Sequence, residues 1–138
     1  MLKKLFLVPA ILIFLIALTD GQEKTSQNPS AVTVARLHYS GGGNWYWGQS
    51  ALPNLLKFIK ENTVIETADQ EVNVMATDPN LFKYPFLYLT GHGDLRFSDD
   101  DAAALRAYLE NGGFLFANDS YGLNADFRKA MKLVFPDR

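Results

Sequence analysis

The chain has 138 residues, of which 48% are apolar and 13% are aromatic, and it contains no cysteine. Its 13 basic and 15 acidic side chains leave a net charge of -2, and the absence of a basic block argues against nucleic-acid binding. This composition indicates one globular domain and excludes a disordered chain, a disulfide scaffold, a thiolate nucleophile and a thiolate zinc site.

The N-terminus has the layout of a secretory signal. Lys3 and Lys4 precede an apolar run from Leu5 to Leu18, and polar residues follow it. The run is shorter than the ~20 residues that span a membrane, so residues 1–21 are expected to be a signal peptide and the protein to be exported, periplasmic or secreted. The alternative is an uncleaved segment that anchors the domain at the membrane.

Residues 22–31 are polar and aperiodic and predict a flexible leader, which places the folded domain at residues 32–138. The first strand is predicted over Val32 to Tyr39, which is rich in β-branched and aromatic residues, and it ends before the glycine triplet at residues 41–43. A helix follows, with Ser50 as its expected cap and Asn62 at its end. Its apolar positions recur with helical spacing at Leu52, Leu55, Leu56 and Ile59.

The middle of the chain predicts two strands. Val72 to Met75 is the shorter one, and a turn at residues 78–80 follows it. Phe86 to Thr90 is a continuous apolar run that ends at Gly91, as in a strand that is buried on both faces. Strands of this kind belong to parallel sheets.

The last third predicts a helix, a strand and a helix. Ser98 and Asp101 have the spacing of a capping box, and residues 111–113 predict a left-handed end to that helix. Phe114 to Ala117 is the fourth predicted strand. Asn124 is the expected cap of the final helix, which Pro136 ends.

The resulting order, β-α-β-β-α-β-α, predicts an α/β three-layer sandwich with a mainly parallel, flavodoxin-like sheet in the order 2-1-3-4. Four strands are few for this class, so we expect the natural domain to continue beyond Arg138. When residues 1–138 are expressed alone, we expect the outer side of the fourth strand to be a free edge, which favours association.

Ligands of such sheets bind beyond the carboxyl ends of the strands, where both histidines of the chain fall. Loops rich in polar, glycine and aromatic residues follow three of the predicted strands. The candidate ligand-binding residues in these loops are His38, Gly42, Asn44, Trp45, His92, Asp94, Arg96, Asn118 and Tyr121.

Two stretches of the chain carry a family resemblance. They are YSGGGNWYWGQSALPNLLKFI and LFKYPFLYLTGHGDLRFSDDDAAALRAYLENGGFLFANDSYGLNADFRKAMKLVFPDR. Together they resemble the bacterial domain-of-unknown-function 4159 family over most of residues 32–138. The resemblance implies a class I glutamine amidotransferase-like fold, related to trehalose-utilisation-type proteins. Active amidotransferases of that fold have a Cys after the strand that corresponds to Phe114 to Ala117, whereas this chain has Asn118, Asp119 and Ser120 there.

Three kinds of chemistry are open at this edge. Ser120 is a candidate nucleophile with His92 as its base and Asp119 as a further candidate catalytic residue, although the triad has no positioned third member and the G-x-S-x-G pattern is missing. The same Asp119 with His38 and His92 could approach a metal, but the spacing of local ligands is absent, and neither a metal nor a cofactor is predicted. Trp45, Tyr46 and Trp47 could offer stacking faces to a sugar or to a protein partner.

Two functional hypotheses follow. The first is an exported domain that binds a small molecule, such as a carbohydrate, or a protein partner, and that lacks amidotransferase chemistry because the chain has no cysteine. The alternative is a hydrolase or sugar-modifying enzyme that uses His92, Asp119 and Ser120. We favour the first hypothesis.

Overall fold

Four parallel strands and three helices form the part of the chain that the computed structural model describes, residues 30–138. The strands are β1 (Ala35–Leu37), β2 (Val72–Val74), β3 (Phe86–His92) and β4 (Phe114–Tyr121), and the helices are α1 (Ala51–Asn62), α2 (Asp99–Glu110) and α3 (Asn124–Val134). The predicted signal peptide at residues 1–21 and positions 22–29 of the predicted leader lie outside the described residues.

The sheet has the order β2-β1-β3-β4, which confirms the predicted topology. Its two faces are covered unequally. Helices α2 and α3 pack on one face, and α1 packs on the other through Leu52 and Leu56. The fold is therefore the expected flavodoxin-like three-layer sandwich. Within residues 30–138 no helix is both long enough and apolar enough to cross a membrane.

The core is centred on β3, as its continuous apolar sequence predicts. Leu87 and Leu89 are fully buried between β3 and the α2–α3 layer, where they join Leu105 and Val134. Tyr88 points to the opposite face and belongs to the α1 cluster. Burial on both faces makes β3 the rigid element from which the loop after His92 emerges.

The predicted capping box of α2 is confirmed. The Asp101 backbone N–H donates to the Ser98 hydroxyl at 3.1 Å, and the Ser98 backbone N–H donates to the Asp101 carboxylate at 3.0 Å. The helix ends at Glu110, and Gly112 follows with a φ of +91°, so the predicted left-handed end is also present.

Ser50 lies at the predicted N-cap position of α1 but does not cap the helix through its side chain, and the expected cap of α3 is wrong. Ser50 has helical backbone angles, and within the described residues its side chain makes no capping hydrogen bond to α1. Asn124 is the first helical residue of α3, and its side-chain oxygen accepts from Arg128 instead. Asp119, which lies in β4, instead accepts the backbone N–H groups of Leu123 and Asn124 at the start of α3.

The strand boundaries also differ from the prediction. The first strand is shorter than Val32 to Tyr39, because the regular ladder covers only Ala35–Leu37. Strands β3 and β4 are both longer, because their parallel pairing continues past Gly91 and Ala117 to the pair His92 and Tyr121. Local sequence favours turns at these glycine and polar positions, but the partner strand keeps them extended.

Candidate functional site

Two loops meet at the carboxyl edge of the sheet. The loop after β1 pairs with the loop after β3 through an antiparallel bridge, in which the Arg96 N–H donates to the Ser40 carbonyl at 2.9 Å. The His92 N–H donates to the Gly43 carbonyl at 2.7 Å. The structure therefore brings together the first two of the three predicted loop segments.

Glycine is required where these loops cross. A Cβ on Gly91, whose φ is +152°, would lie 2.0 Å from the Gly43 carbonyl oxygen and 2.0 Å from the Tyr39 hydroxyl. A Cβ on Gly41, whose φ is +108°, would lie 1.8 Å from the Asp94 carbonyl oxygen. The glycine triplet thus serves close backbone packing.

The buried side chain of Tyr39 stabilises the contact between the two loops. Its hydroxyl lies 2.7 Å from the Gly43 carbonyl oxygen and 3.0 Å from the Thr90 carbonyl oxygen, and the side chain is buried. Burial raises the pKa of Tyr39 to about 12, and the carboxylate of Asp94 acts in the same direction. The phenol therefore remains a hydrogen-bond donor throughout the physiological pH range.

Asp94 joins the two loops at the surface. Its carboxylate accepts the Gly42 backbone N–H at 2.8 Å and forms an ion pair with Arg96 at 2.9 Å. The Gly42 hydrogen bond, with a smaller contribution from Arg96, lowers the pKa of Asp94. Three predicted ligand-binding residues are thus already bonded to one another.

Residues 44–48, here called the aromatic loop, surround the two histidines. Trp45 stacks on His38 with ring centroids 4.1 Å apart, and Trp47 meets the His92 ring edge-on at 4.4 Å. About half of the Tyr46 and Trp47 side-chain surfaces is exposed. The loop therefore presents aromatic surface to solvent while its other contacts hold it against the sheet.

His92 has a defined hydrogen-bond partner. Asn44 Nδ2 lies 3.3 Å from His92 Nδ1, and the Tyr46 hydroxyl donates to Asn44 Oδ1 at 3.2 Å. An amide nitrogen only donates, so Nδ1 is the acceptor and Nε2 carries the proton of the neutral ring. In this arrangement Nε2 of His92 can donate a hydrogen bond to a ligand.

Arg36 is the residue that the sequence analysis missed. It lies at the centre of β1 with 2% of its surface exposed, and all five of its N–H groups have acceptors. Two of them donate to Glu71 Oε1, and the others donate to carbonyl oxygens of the aromatic loop at Trp45, Trp47 and Gly48. The available signal was a charged residue between two apolar residues in the first predicted strand.

The third predicted segment has a different role from the first two. Asn118, Asp119, Ser120 and Tyr121 lie within β4, and Ser120 is an extra residue at an irregularity of the β3–β4 pairing. Asn118 Nδ2 donates to the Tyr88 hydroxyl at 3.0 Å, and 80% of Tyr121 is exposed. The fourth strand was predicted to end at Ala117, but it continues to Tyr121.

Asp119 and Ser120 are engaged in structural bonds. The two carboxylate oxygens of Asp119 accept the backbone N–H groups of Leu123 and Asn124 at 2.9 and 3.1 Å. The Ser120 hydroxyl lies 3.1 Å from the Thr90 hydroxyl. Among residues 30–138 no hydrogen bond joins either side chain to His92, and no three His, Asp or Glu side chains form a group that could hold a metal.

The fold and this edge define an α/β protein with a parallel flavodoxin-like sheet, whose histidines and aromatic side chains cluster at the carboxyl ends of its strands. The chain belongs to the family described as Domain of unknown function (DUF4159), which matches residues 33–138. A comparison with curated proteins found no match.

Proposed function

We propose that the protein binds a small polar molecule, such as a carbohydrate, at the aromatic loop, on a scaffold related to class I glutamine amidotransferases but without their chemistry. The observation that carries the proposal is the buried Arg36, which fixes the carbonyl groups of the aromatic loop while Tyr46 and Trp47 stay half exposed. A loop that is ordered before binding loses little conformational entropy when a ligand arrives.

The exposed groups suit binding. Trp47 and Tyr46 offer aromatic surface, and His92 Nε2 offers a donor beside them. Pockets that bind small molecules combine apolar rings with a few polar groups that set orientation. At the carboxyl edge of this sheet, the aromatic loop supplies the rings and His92 supplies the polar group.

The chemistry of the site favours binding over catalysis. The chain has no cysteine to supply the thiolate that glutamine hydrolysis requires. The hydrolase alternative draws no support from the contacts, since Asp119 caps α3, Ser120 bonds to Thr90, and Nδ1 of His92 already accepts from Asn44.

Tryptophan fluorescence gives a direct test, because both tryptophans of the chain lie in the aromatic loop. We would screen neutral and charged sugars, nucleosides and amino acids for a change in emission, and then measure affinities by calorimetry. His92→Ala should weaken binding by about 1–3 kcal/mol and leave the melting temperature nearly unchanged, because one polar partner of the ligand is lost. Phe58→Ala, at an exposed aromatic side chain on α1, is the control.

A large loss of stability in His92→Ala with unchanged affinity would contradict the proposal, because the histidine would then only hold the loop. A compound that the protein hydrolyses, with the activity lost in Ser120→Ala, would favour the enzyme alternative.

We also propose that the domain is exported. Lys3, Lys4 and the apolar run from Leu5 to Leu18 support this proposal. Expression of the whole chain in a bacterium, followed by fractionation and N-terminal sequencing, should find a periplasmic or secreted product that begins near Gln22. A product that keeps Met1 and stays with the membrane fraction would favour the anchored alternative, and one in the cytoplasm would contradict export.

A further inference from the structure

A cavity of about 360 Å³ lies beside the aromatic loop, on the β1–β2 side and away from His92. Trp45, Tyr46, Gln49, Gln70, Glu71 and Asn73 line it together with Arg36. We infer that this cavity is the binding site for a neutral, polyhydroxylated ring, that is, for a carbohydrate unit. The inference goes beyond the proposed function, because this cavity is a second site on the other side of the aromatic loop and His92 does not line it.

The charge of the cavity excludes ionic recognition. Arg36 and Glu71 are its only charged lining residues, and they form an ion pair at 3.1 Å, so their charges cancel. All five donors of Arg36 are used within the protein. The guanidinium therefore has no donor left for a phosphate or a carboxylate, and its positive charge offsets the attraction of Glu71 for an amine.

The neutral polar groups are free to bind. Within residues 30–138 the side-chain amides of Gln49, Gln70 and Asn73 form no hydrogen bond with the protein. Each amide supplies both donors and acceptors, which matches a sugar hydroxyl, because a hydroxyl also both donates and accepts. Glu71 adds an acceptor, since both Arg36 contacts use its Oε1 and leave Oε2 available.

The aromatic side chains supply the remaining feature of a sugar site. Trp45 and Tyr46 form one wall of the cavity, with ring centroids 5.6 Å apart and nearly perpendicular planes. The C–H face of a sugar ring packs on such aromatic surface while its hydroxyl groups reach the amides. The volume is at the small end of the range for ligand pockets, which suits a single ring.

The test uses D-glucose, D-galactose, N-acetylglucosamine, maltose and cellobiose as neutral probes, with glucose 6-phosphate and glucosamine as charged counterparts. Binding is followed by tryptophan emission and calorimetry. We expect at least one neutral sugar to bind more tightly than the charged counterparts. The double variant Gln70→Ala/Asn73→Ala should weaken that binding by about tenfold or more and leave the melting temperature unchanged.

Asn54→Ala, at an exposed amide on α1, is the matched control and should bind like the wild type. Tighter binding of glucose 6-phosphate or glucosamine, or no binding of any of the sugars, would overturn the inference. Sugar binding that persists in Gln70→Ala/Asn73→Ala but is lost in His92→Ala would also overturn it. In that last case the proposed binding function would stand, with the ligand on the His92 side of the loop.

Discussion

Arg36, at the centre of β1, donates a hydrogen bond of 2.8 Å from its Nη1 to the Trp47 carbonyl oxygen in the aromatic loop. The same side chain forms an ion pair with Glu71, which is 13% exposed. One buried cation thus connects β1 and the residue that precedes β2 to the loop that carries both tryptophans. The conformation of the candidate site therefore depends on a residue whose hydrogen-bond donors are all used within the protein.

Replacing Arg36 should destabilise the protein and loosen the aromatic loop together. Arg36→Met keeps most of the side-chain volume but leaves Glu71 and three carbonyl oxygens without their donor, so we expect a loss of about 3–5 kcal/mol in the free energy of unfolding. Urea unfolding measures the loss, and a red shift of tryptophan emission in the folded state reports the loosened loop.

Lys60→Met is the control for that variant, because Lys60 and Asp69 form an exposed ion pair that should contribute at most about 1 kcal/mol. An Arg36→Met protein as stable as Lys60→Met, with unshifted emission, would show that the loop does not depend on Arg36.

Tyr39 should make the fold sensitive to alkaline pH. Its folded-state pKa is raised from 10.0 to about 12, so its contribution to stability is complete below pH 10 and is lost as the pH rises through 12. At about 1.4 kcal/mol for each pKa unit, the loss by pH 12 is about 2 kcal/mol. Unfolding by urea between pH 8 and pH 12 measures it.

Tyr39→Phe separates the contribution of Tyr39 from that of the other tyrosines. Tyr108 is one of these, because burial also raises the pKa of Tyr108. The variant should be less stable than the wild type near neutral pH, because the Gly43 and Thr90 carbonyl groups lose a donor, and the gap should narrow above pH 10. A gap that stays constant across this range would contradict the assignment.

Gly91 should not tolerate a side chain. Gly91→Ala places a methyl group on the Gly43 carbonyl and the Tyr39 hydroxyl, and we expect a loss of about 2–4 kcal/mol. Gly112 also has a positive φ, but nothing lies within 4 Å of the position that a methyl group would take there, so Gly112→Ala should cost only about 1–2 kcal/mol. Thermal unfolding of both variants tests whether the loop crossing, and not the backbone angle alone, requires glycine.

Asp119 should act as the cap of α3. Asp119→Ala removes the acceptor of two backbone N–H groups, and by analogy with other caps we expect a loss of about 1–2 kcal/mol. Asn124→Ala, at the residue that the sequence marks as the cap, should cost less than about 0.5 kcal/mol. Urea unfolding distinguishes the two, and a larger loss for Asn124→Ala would contradict the assigned cap.

The edge strand β4 should promote self-association. Phe114 and Phe116 are 54% and 47% exposed on the α1 side of this strand, and its outer backbone edge is unpaired within residues 30–138. We expect sedimentation velocity to show concentration-dependent association, which Phe116→Lys should reduce and Phe58→Lys on α1 should not. A wild-type protein that remains monomeric at all concentrations would contradict this prediction.

Local and periodic features of the sequence determined much of the fold. The apolar run of β3, the Ser98–Asp101 capping box and the order of strands and helices were all predictable, because each depends on neighbouring residues or on the preferred handedness of crossovers. The grouping of His38 and His92 near one edge followed from the same rule, since parallel strands end together.

Only the tertiary structure decided what those residues contact. The sequence favours a turn at Asn118, Asp119 and Ser120, but pairing with β3 keeps them extended and turns Asp119 toward α3. Arg36 is charged and would be expected at the surface, yet acceptors 9 to 35 positions away make its burial favourable. Composition and periodicity carry no information about such distant partners, because these partners come together only when the chain folds.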